Sequence, residues 1–118
     1  MQNLMSYQLA VKFYGEAKTI KLPYIVKNQF QRAALSVALN ISEGTGKRSM
    51  RDRVRFFEIA MGSIRECQAV IELEPAAFNS LQKDLLDHLA ACTFKLIRCS
   101  EINRFSATAG RYPPSAYR

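Results

Sequence analysis

The chain has 118 residues, 48% of them hydrophobic, and a formal net charge of +7. This length favours one domain, and its three cysteines do not have the clustered spacing of a metal site. The sequence has neither an apolar run of about 18 residues nor the pattern of a signal peptide, so we expect a cytoplasmic protein without a membrane segment.

Helical periodicity runs through the chain and no segment alternates as a strand does, which predicts an all-α fold. The first helix is predicted from Met5 to Lys18, with an apolar face of Leu9, Ala10, Phe13 and Ala17. Leu22-Pro23 ends this pattern, because proline disfavours helical geometry in the residue before it and suits the first turn of a new helix.

A second helix is predicted from about Pro23 to Ser42. Its apolar positions recur at three- and four-residue spacing and are Val26, Phe30, Ala33, Ala34, Val37 and Ile41. We expect Gly44-Thr45-Gly46 to end this helix, since glycine just beyond a helix adopts the left-handed conformation at low cost.

A third helix is predicted from Ser49 to about Glu74-Pro75. The segment Ser49-Met-Arg-Asp52 has the form of a capping box, in which the Ser49 hydroxyl accepts from a free amide of the first turn. The predicted apolar stripe consists of Val54, Phe57, Met61, Ile64, Cys67 or Gln68, and Ile71.

A fourth helix is predicted from a weaker cap at Asn79-Ser-Leu-Gln82 to about Phe105. Its predicted stripe consists of Leu81, Leu85, Leu89, Cys92, Leu96, Cys99 and Ile102. Because the connections are short, successive helices should be antiparallel. We therefore predict an up-down-up-down four-helix bundle over residues 1–105, followed by a flexible C-terminal tail over residues 106–118.

The connection between the second and third helices carries the densest charge, since five of the nine residues from Lys47 to Arg55 are basic. A phosphate-binding P-loop would need a preceding strand and a glycine at position 41, where the chain has Ile41. The glycines are better explained as a helix end. The basic segment instead favours contact with a polyanion, although a basic helix end can also serve only solubility.

Three of these arginines, Arg48, Arg51 and Arg55, fall at three- and four-residue spacing and should project from one side of the third helix. Positive charge opposes the helix dipole there, so binding is one reason for their presence. The alternative is a solvated stripe that Asp52 and Glu58 partly neutralise. In either case Lys47 and Arg53 are expected to be solvated neighbours.

The sequence offers no residue set for catalysis. His88 is the only histidine, residues 78–84 contain no arginine, and Glu-x-x-His does not occur, so we predict no nuclease site, di-metal centre or Ser-His-Asp triad. Cys67, Cys92 and Cys99 are predicted to be reduced core thiols. We therefore expect no enzyme, no cofactor and no metal.

Small and polar residues cluster near the end of the second helix and in the middle of the third. They are Asn40, Ser42 and Glu43 in one group and Gly62, Ser63 and Glu66 in the other. We expect them to meet and to fix the helix register through hydrogen bonds, because buried polar groups need partners. The alternative is a polar site shared between subunits.

The combined pattern resembles the family of 23S rRNA intervening-sequence proteins, also called the four-helix-bundle protein family. The resemblance covers about residues 8–105, and Ser42 stands where the family usually has alanine. The matching residues are Leu22-Pro23, Asn28-Gln29, Arg32-Ala33-Ala34, Ser36-Val37, Asn40-Ile41-Ser42-Glu43-Gly44, Gly46-Lys47-Arg48-Ser49, Phe56-Phe57, Ala60, Gly62-Ser63 and Glu66.

This resemblance implies a ring-shaped homopentamer of antiparallel four-helix bundles without catalytic residues. The genes of this family lie in insertions within bacterial 23S rRNA genes or elsewhere in genomes. Relatives include the accessory protein of diversity-generating retroelements, a basic pentamer that binds nucleic acid and a reverse transcriptase.

Residues and resemblance together give one hypothesis and one alternative. The hypothesis is a non-enzymatic oligomer whose basic surface binds RNA, DNA or a nucleoprotein partner such as a reverse transcriptase. That surface consists of Lys47, Arg48, Arg51, Arg53 and Arg55. The alternative is a purely structural or protein-interaction module, in which the arginines are solvated or pair with acidic residues of a neighbouring subunit.

Overall fold

The computed structural model describes residues 2–109 of the chain and the side chains of residues 5–103, and this part is helical without any strand. Its helices are α1 (Gln2–Ala17), α2 (Tyr24–Thr45), α3 (Met50–Leu73) and α4 (Ser80–Ala109), with a single turn of 3₁₀ helix (Pro75–Ala77) before α4. The predicted all-α fold and its four helices are confirmed. α4 extends four residues beyond its predicted end, and the rest of the predicted tail, 110–118, lies outside the described residues.

The four helices form an antiparallel bundle in which each helix packs against two others. Near the start of α4, Gln82 Nε2 donates to Glu16 Oε1 over 3.2 Å, and ten residues later Cys92 Sγ lies 3.9 Å from Met5 Sδ. The contacted position moves backwards along α1 as α4 advances, so these two helices run in opposite directions. The described residues measure 55 × 25 × 23 Å, as elongated as a bundle of helices this long should be.

One end of the core is built around three aromatic rings. Phe30 is fully buried and meets Phe13 and Phe78 edge to face, with ring centroids 5.7 and 5.2 Å apart. These geometries place the positive edge of one ring against the negative face of the next. Since Phe78 follows the 3₁₀ turn, the cluster joins α1, α2 and the connection that leads into α4.

The buried face of α4 differs from the predicted stripe. Its buried residues are Gln82, Leu86, Leu89, Thr93, Leu96, Ile97 and Ser100, of which the prediction contained only Leu89 and Leu96. Leu81 is instead 77% exposed, and Cys99 and Ile102 are exposed too. The prediction failed because it followed hydrophobicity, whereas polar side chains of the inner face are satisfied locally. Thr93 Oγ1, for example, donates to the carbonyl of Leu89 over 2.8 Å.

Both predicted N-terminal caps are present. Ser49 Oγ accepts from the Asp52 N–H over 3.0 Å at the start of α3. Before α4 the cap is reciprocal: the Gln82 N–H donates to Asn79 Oδ1 over 2.8 Å, and the Asn79 N–H donates to Gln82 Oε1 over 3.0 Å. Two amides that no helical carbonyl could accept from are thereby satisfied, which fixes where α4 begins.

α2 ends at the predicted glycine segment, with Gly46 as its C-cap, but the expected left-handed conformation is absent. No glycine within residues 2–109 has a positive φ, and Gly46 has a φ of −82°. α2 continues to Thr45, so Gly44 lies inside the helix, where it is buried. A Cβ on Gly44 would lie only 2.7 Å from Cε1 of Phe57, so this glycine is required for close packing of α2 on α3 and not for a left-handed turn.

Candidate nucleic-acid interface

Two of the five predicted basic residues shape the connection between α2 and α3. Lys47 Nζ lies 3.2 Å from Glu43 Oε2 and 5.2 Å from the centroid of the Phe56 ring. Arg53 is half-buried, and its Nε donates to the Lys47 carbonyl over 2.8 Å. The expectation that Lys47 and Arg53 are solvated neighbours is therefore wrong, because both are only partly exposed and their charged groups bond to Glu43 and to the Lys47 carbonyl.

The other three basic residues, Arg48, Arg51 and Arg55, are exposed on the connection and the first turns of α3. Arg55 lies over Phe56 with its guanidinium carbon 5.1 Å from the ring centroid, on a ring that Lys47 also approaches. Cation–π contact of this kind restricts the Arg55 side chain while leaving its N–H groups available to an anion. We call these three arginines the arginine corner.

The carboxylates near the arginine corner do not neutralise it through ion pairs. Asp52 and Glu58 share with Arg51 and Arg55 the lining of an open depression of about 530 Å³. Within the side chains of residues 5–103, however, the only salt bridge is that between Lys47 and Glu43. The three guanidinium groups of the corner therefore face solvent without a bonded carboxylate.

The predicted polar contact between α2 and α3 is confirmed only in part, because among the described side chains Asn40 and Ser63 meet only through Ser36. Ser63 Oγ donates to Ser36 Oγ over 2.8 Å, and Asn40 Nδ2 donates to the Ser36 carbonyl over 2.9 Å. Ser36 is the shared partner, which the prediction had not included. Ser42, Glu43, Gly62 and Glu66 are exposed and take no part in this cluster. The cluster fixes the register of α2 against α3 and lies farther from the connection between these helices than the arginine corner does.

The structure adds an exposed aromatic ring that sequence reasoning missed. Phe94 on α4 is 54% exposed, and the guanidinium carbon of Arg98, one turn later, lies 6.0 Å from its ring centroid. The available signal was the i,i+4 spacing of phenylalanine and arginine. It was overlooked because neither residue belongs to the predicted apolar stripe of α4.

His88 is exposed on the side of α4 that faces α1. It lines a depression of about 380 Å³ together with Lys12, Glu16 and Asp84, among others.

Within the described residues, no three His, Cys, Asp or Glu side chains are grouped so that they could hold a metal ion. None of the described helices is both long and apolar enough to cross a membrane.

The cysteines differ in their environments. Cys67 is fully buried as predicted, Cys92 is half-buried, and Cys99 is exposed, contrary to the expectation of three core thiols. Burial, and to a smaller degree the nearby charge of Glu66, raises the pKa of Cys67 to about 12. The Cys67 thiol is therefore protonated at neutral pH and is not a nucleophile in the folded protein. Because this pKa is raised on folding, ionisation of Cys67 opposes the folded state only above about pH 9.

The fold and its arginine corner define a class of small helical-bundle proteins with a basic end. A model of the 23S rRNA-intervening sequence protein family matches residues 3–98, which is most of the chain. The chain belongs to this family, as the pattern of its residues indicated. No significant match was found among curated proteins or among solved structures.

Proposed function

We propose that the protein is a non-enzymatic, cytoplasmic helical bundle that binds nucleic acid, alone or within a nucleoprotein, through the arginine corner. The observation that carries the proposal is the placement of three exposed guanidinium groups, without bonded carboxylates, around the start of α3. Positive charge at a helix N-terminus opposes the helix dipole at a cost of a few tenths of a kcal/mol to about 1 kcal/mol per charge. Helix stability therefore gives no reason for these arginines, whereas binding of phosphates does.

The five basic residues fall into two groups, two with bonds inside the protein and three exposed, and this difference supports the proposed function. The charged groups of Lys47 and Arg53 are engaged by Glu43 and by the Lys47 carbonyl, whereas the three arginines of the corner are exposed. Arginine suits phosphate because its planar group can donate two parallel hydrogen bonds. Such contacts position a polyanion but read little sequence. We therefore propose binding that discriminates poorly between sequences and weakens as salt increases.

Charge reversal at the corner tests the proposal. The double variant Arg51→Glu, Arg55→Glu is expected to bind a labelled RNA or DNA oligonucleotide at least about tenfold more weakly at about 50 mM salt, because phosphate contacts are lost and repulsion is added. Its affinity should also depend less on salt, with the slope of log K against log salt smaller by about 2. Fluorescence anisotropy at two salt concentrations measures both quantities.

The matched control reverses two exposed arginines away from the corner, Arg32 on α2 and Arg65 on α3. Arg32→Glu, Arg65→Glu changes the net charge by the same amount, so it should retain most of the affinity. Equal losses in the two double variants would show that total charge and not the corner determines binding. No loss in the corner variant would exclude the corner as the binding surface.

The second part of the proposal is assembly into a homo-oligomer, which the family resemblance gives as a pentamer. The structure supports an interface by its exposed apolar residues on the α1 and α2 side of the bundle, which are Tyr7, Val11, Leu35 and Leu39. Each pair is spaced by four residues, so both helices present two apolar side chains to solvent on successive turns. A ring would bring several arginine corners to one polyanion, and affinity would rise through multivalency.

The molar mass of the purified protein tests assembly. We expect light scattering during size-exclusion chromatography to give five times the 13.4 kDa of the chain. Leu39→Glu, which replaces one of these exposed apolar side chains by a charged one, should lower that mass without loss of helix content. A mass of one chain for the unmodified protein would contradict the proposed assembly. It would not affect the proposal that the arginine corner binds nucleic acid.

The alternative, a protein-interaction module without nucleic-acid binding, assigns the arginines to acidic residues of a neighbouring subunit. It predicts that the charge-reversed corner variant loses the oligomeric mass along with any polyanion affinity. The proposal predicts instead that this variant keeps its mass. The same two samples therefore distinguish the two functions.

A further inference from the structure

We propose that the bound nucleic acid is single-stranded and that Phe94 is the platform on which one of its bases stacks. This inference rests on the proposed function, because it concerns the strand that the arginine corner holds. It adds a second contact on a different helix and names the class of polynucleotide. Its grounds are the exposure of the ring, its place on α4 and the charges around it.

Phe94 lies on the side of α4 that is turned away from α1. The opposite side is identified by Cys92, whose Sγ is 3.9 Å from Met5 Sδ on α1. Successive residues of a helix are turned by about 100°, so Phe94 points about 200° away from Cys92. With more than half of its surface exposed, the ring is largely in contact with solvent, and the Arg98 guanidinium lies over one of its faces.

Arg98, one turn after the ring, lies level with Arg55 of the arginine corner along the bundle axis. α3 ends at Leu73, α4 begins at Ser80, and the two helices are packed together. Arg55 stands as many residues before the end of α3 as Arg98 stands after the start of α4, and both helices rise by about 1.5 Å per residue. Because packed helices lie about 8–10 Å apart, one polynucleotide strand can reach both Arg55 on α3 and Arg98 on α4, although Glu58 lies at the level of Lys95 between them.

A stacking platform distinguishes single strands from duplexes. In a duplex both faces of each base are covered by neighbouring bases, so a ring on a convex helical surface finds only the backbone. An unpaired base exposes its π face, and stacking on an aromatic side chain tolerates any base. Arg98 lies over the ring with its guanidinium carbon 6.0 Å from the centroid, so a base stacked on the other face would have a positive charge near its phosphate. The arginine corner alone would accept either form, and Phe94 gives the preference for a single strand.

The sequence allows a direct test because it contains no tryptophan. In Phe94→Trp the new indole is the sole tryptophan, and stacking of a base should quench its fluorescence. We expect oligo(dT) of about 16 nucleotides, a length at the upper end of single-strand site sizes, to quench it at low salt. A duplex of the same length should not. Leu81→Trp is the matched control, since Leu81 is more exposed than Phe94 but lies on the α1 side of α4. Neither oligo(dT) nor duplex should quench the indole at that position.

Affinities provide the second readout. Phe94→Ala should weaken oligo(dT) binding about tenfold, as expected for the loss of one stacked base, and change duplex binding by less than about twofold. Phe94→Tyr retains a ring and should bind as the unmodified protein does. Thermal unfolding followed by circular dichroism verifies that each variant is folded.

The outcomes separate this inference from the function on which it rests. The stacking inference is wrong if duplex binds as tightly as oligo(dT). It is also wrong if Phe94→Ala leaves oligo(dT) affinity unchanged while the corner variant loses it. In both cases binding through the arginine corner remains supported. If the unmodified protein binds neither polynucleotide, both are wrong. Quenching of Phe94→Trp by oligo(dT) that persists after charge reversal of the corner would support the platform and contradict the corner.

Discussion

Replacing Phe30 with alanine is expected to lower the free energy of unfolding by about 3–5 kcal/mol. The ring is fully buried and has edge-to-face contacts with Phe13 and Phe78, so its removal leaves a cavity where three parts of the chain meet. Typical domains are stable by only about 5–15 kcal/mol, so this one change would remove a large share of the total. Urea unfolding followed by circular dichroism measures the loss.

Phe94→Ala is the matched control, because it removes the same atoms from a ring that is 54% exposed. It should cost less than about 1 kcal/mol, since most of the area it removes was already in contact with water. Equal costs at the two positions would mean that the aromatic cluster is not the centre of the core. The comparison also verifies that the nucleic-acid test at Phe94 uses a folded protein.

The sequence predicted the buried face of α2 well and that of α4 poorly, for a physical reason. On α2 the predicted apolar positions are all buried except Val26, which is half-buried, because that face is formed by aliphatic and aromatic residues alone. On α4 the buried face includes Gln82 and Thr93, both of which have hydrogen bonds within the fold. A hydrophobic pattern cannot identify a face whose polar groups bond within the fold, so the more apolar outer stripe was chosen.

The caps were predictable because they are local, and the role of Gly44 was not. A cap joins residues three positions apart, so its signature is contained in four letters of sequence. Gly44 contacts Phe57, which lies on another helix. The sequence showed that a glycine stood near the end of α2, but only the packing of α2 on α3 shows which of its properties is used.

The candidate site was predictable in composition and not in arrangement. All five basic residues were identified from charge density, yet the hydrogen bond from Arg53 to the Lys47 carbonyl bridges six positions around a turn. That geometry separates the residues that hold the connection from the three that face solvent. The pairing of Phe94 with Arg98 is local and was available from their i,i+4 spacing, whereas the relation of this pair to the corner depends on how α4 packs beside α3.

The second large effect is expected at Gly44, where alanine should destabilise the protein by about 1–3 kcal/mol although alanine is the better helix former. The added Cβ would lie 2.7 Å from Cε1 and 2.9 Å from Cδ1 of Phe57, a ring that is itself fully buried and has little room to move. Gly62→Ala is the control of opposite sign. An added Cβ there meets nothing within 4 Å, so the gain in helix propensity should stabilise the protein by about 0.5–1 kcal/mol.

The Gly44 substitution also links the packing of the bundle to its proposed function. Its Cβ would lie 3.1 Å from Cβ of Phe56, whose ring Lys47 and Arg55 approach from the arginine corner. Displacing Phe56 should move both cations, so Gly44→Ala should weaken oligonucleotide binding at temperatures where the variant is still folded. Gly62→Ala should not. If both glycine variants changed stability as expected and bound equally well, the corner would not depend on the close approach of α2 and α3, and its arginines would act through charge alone.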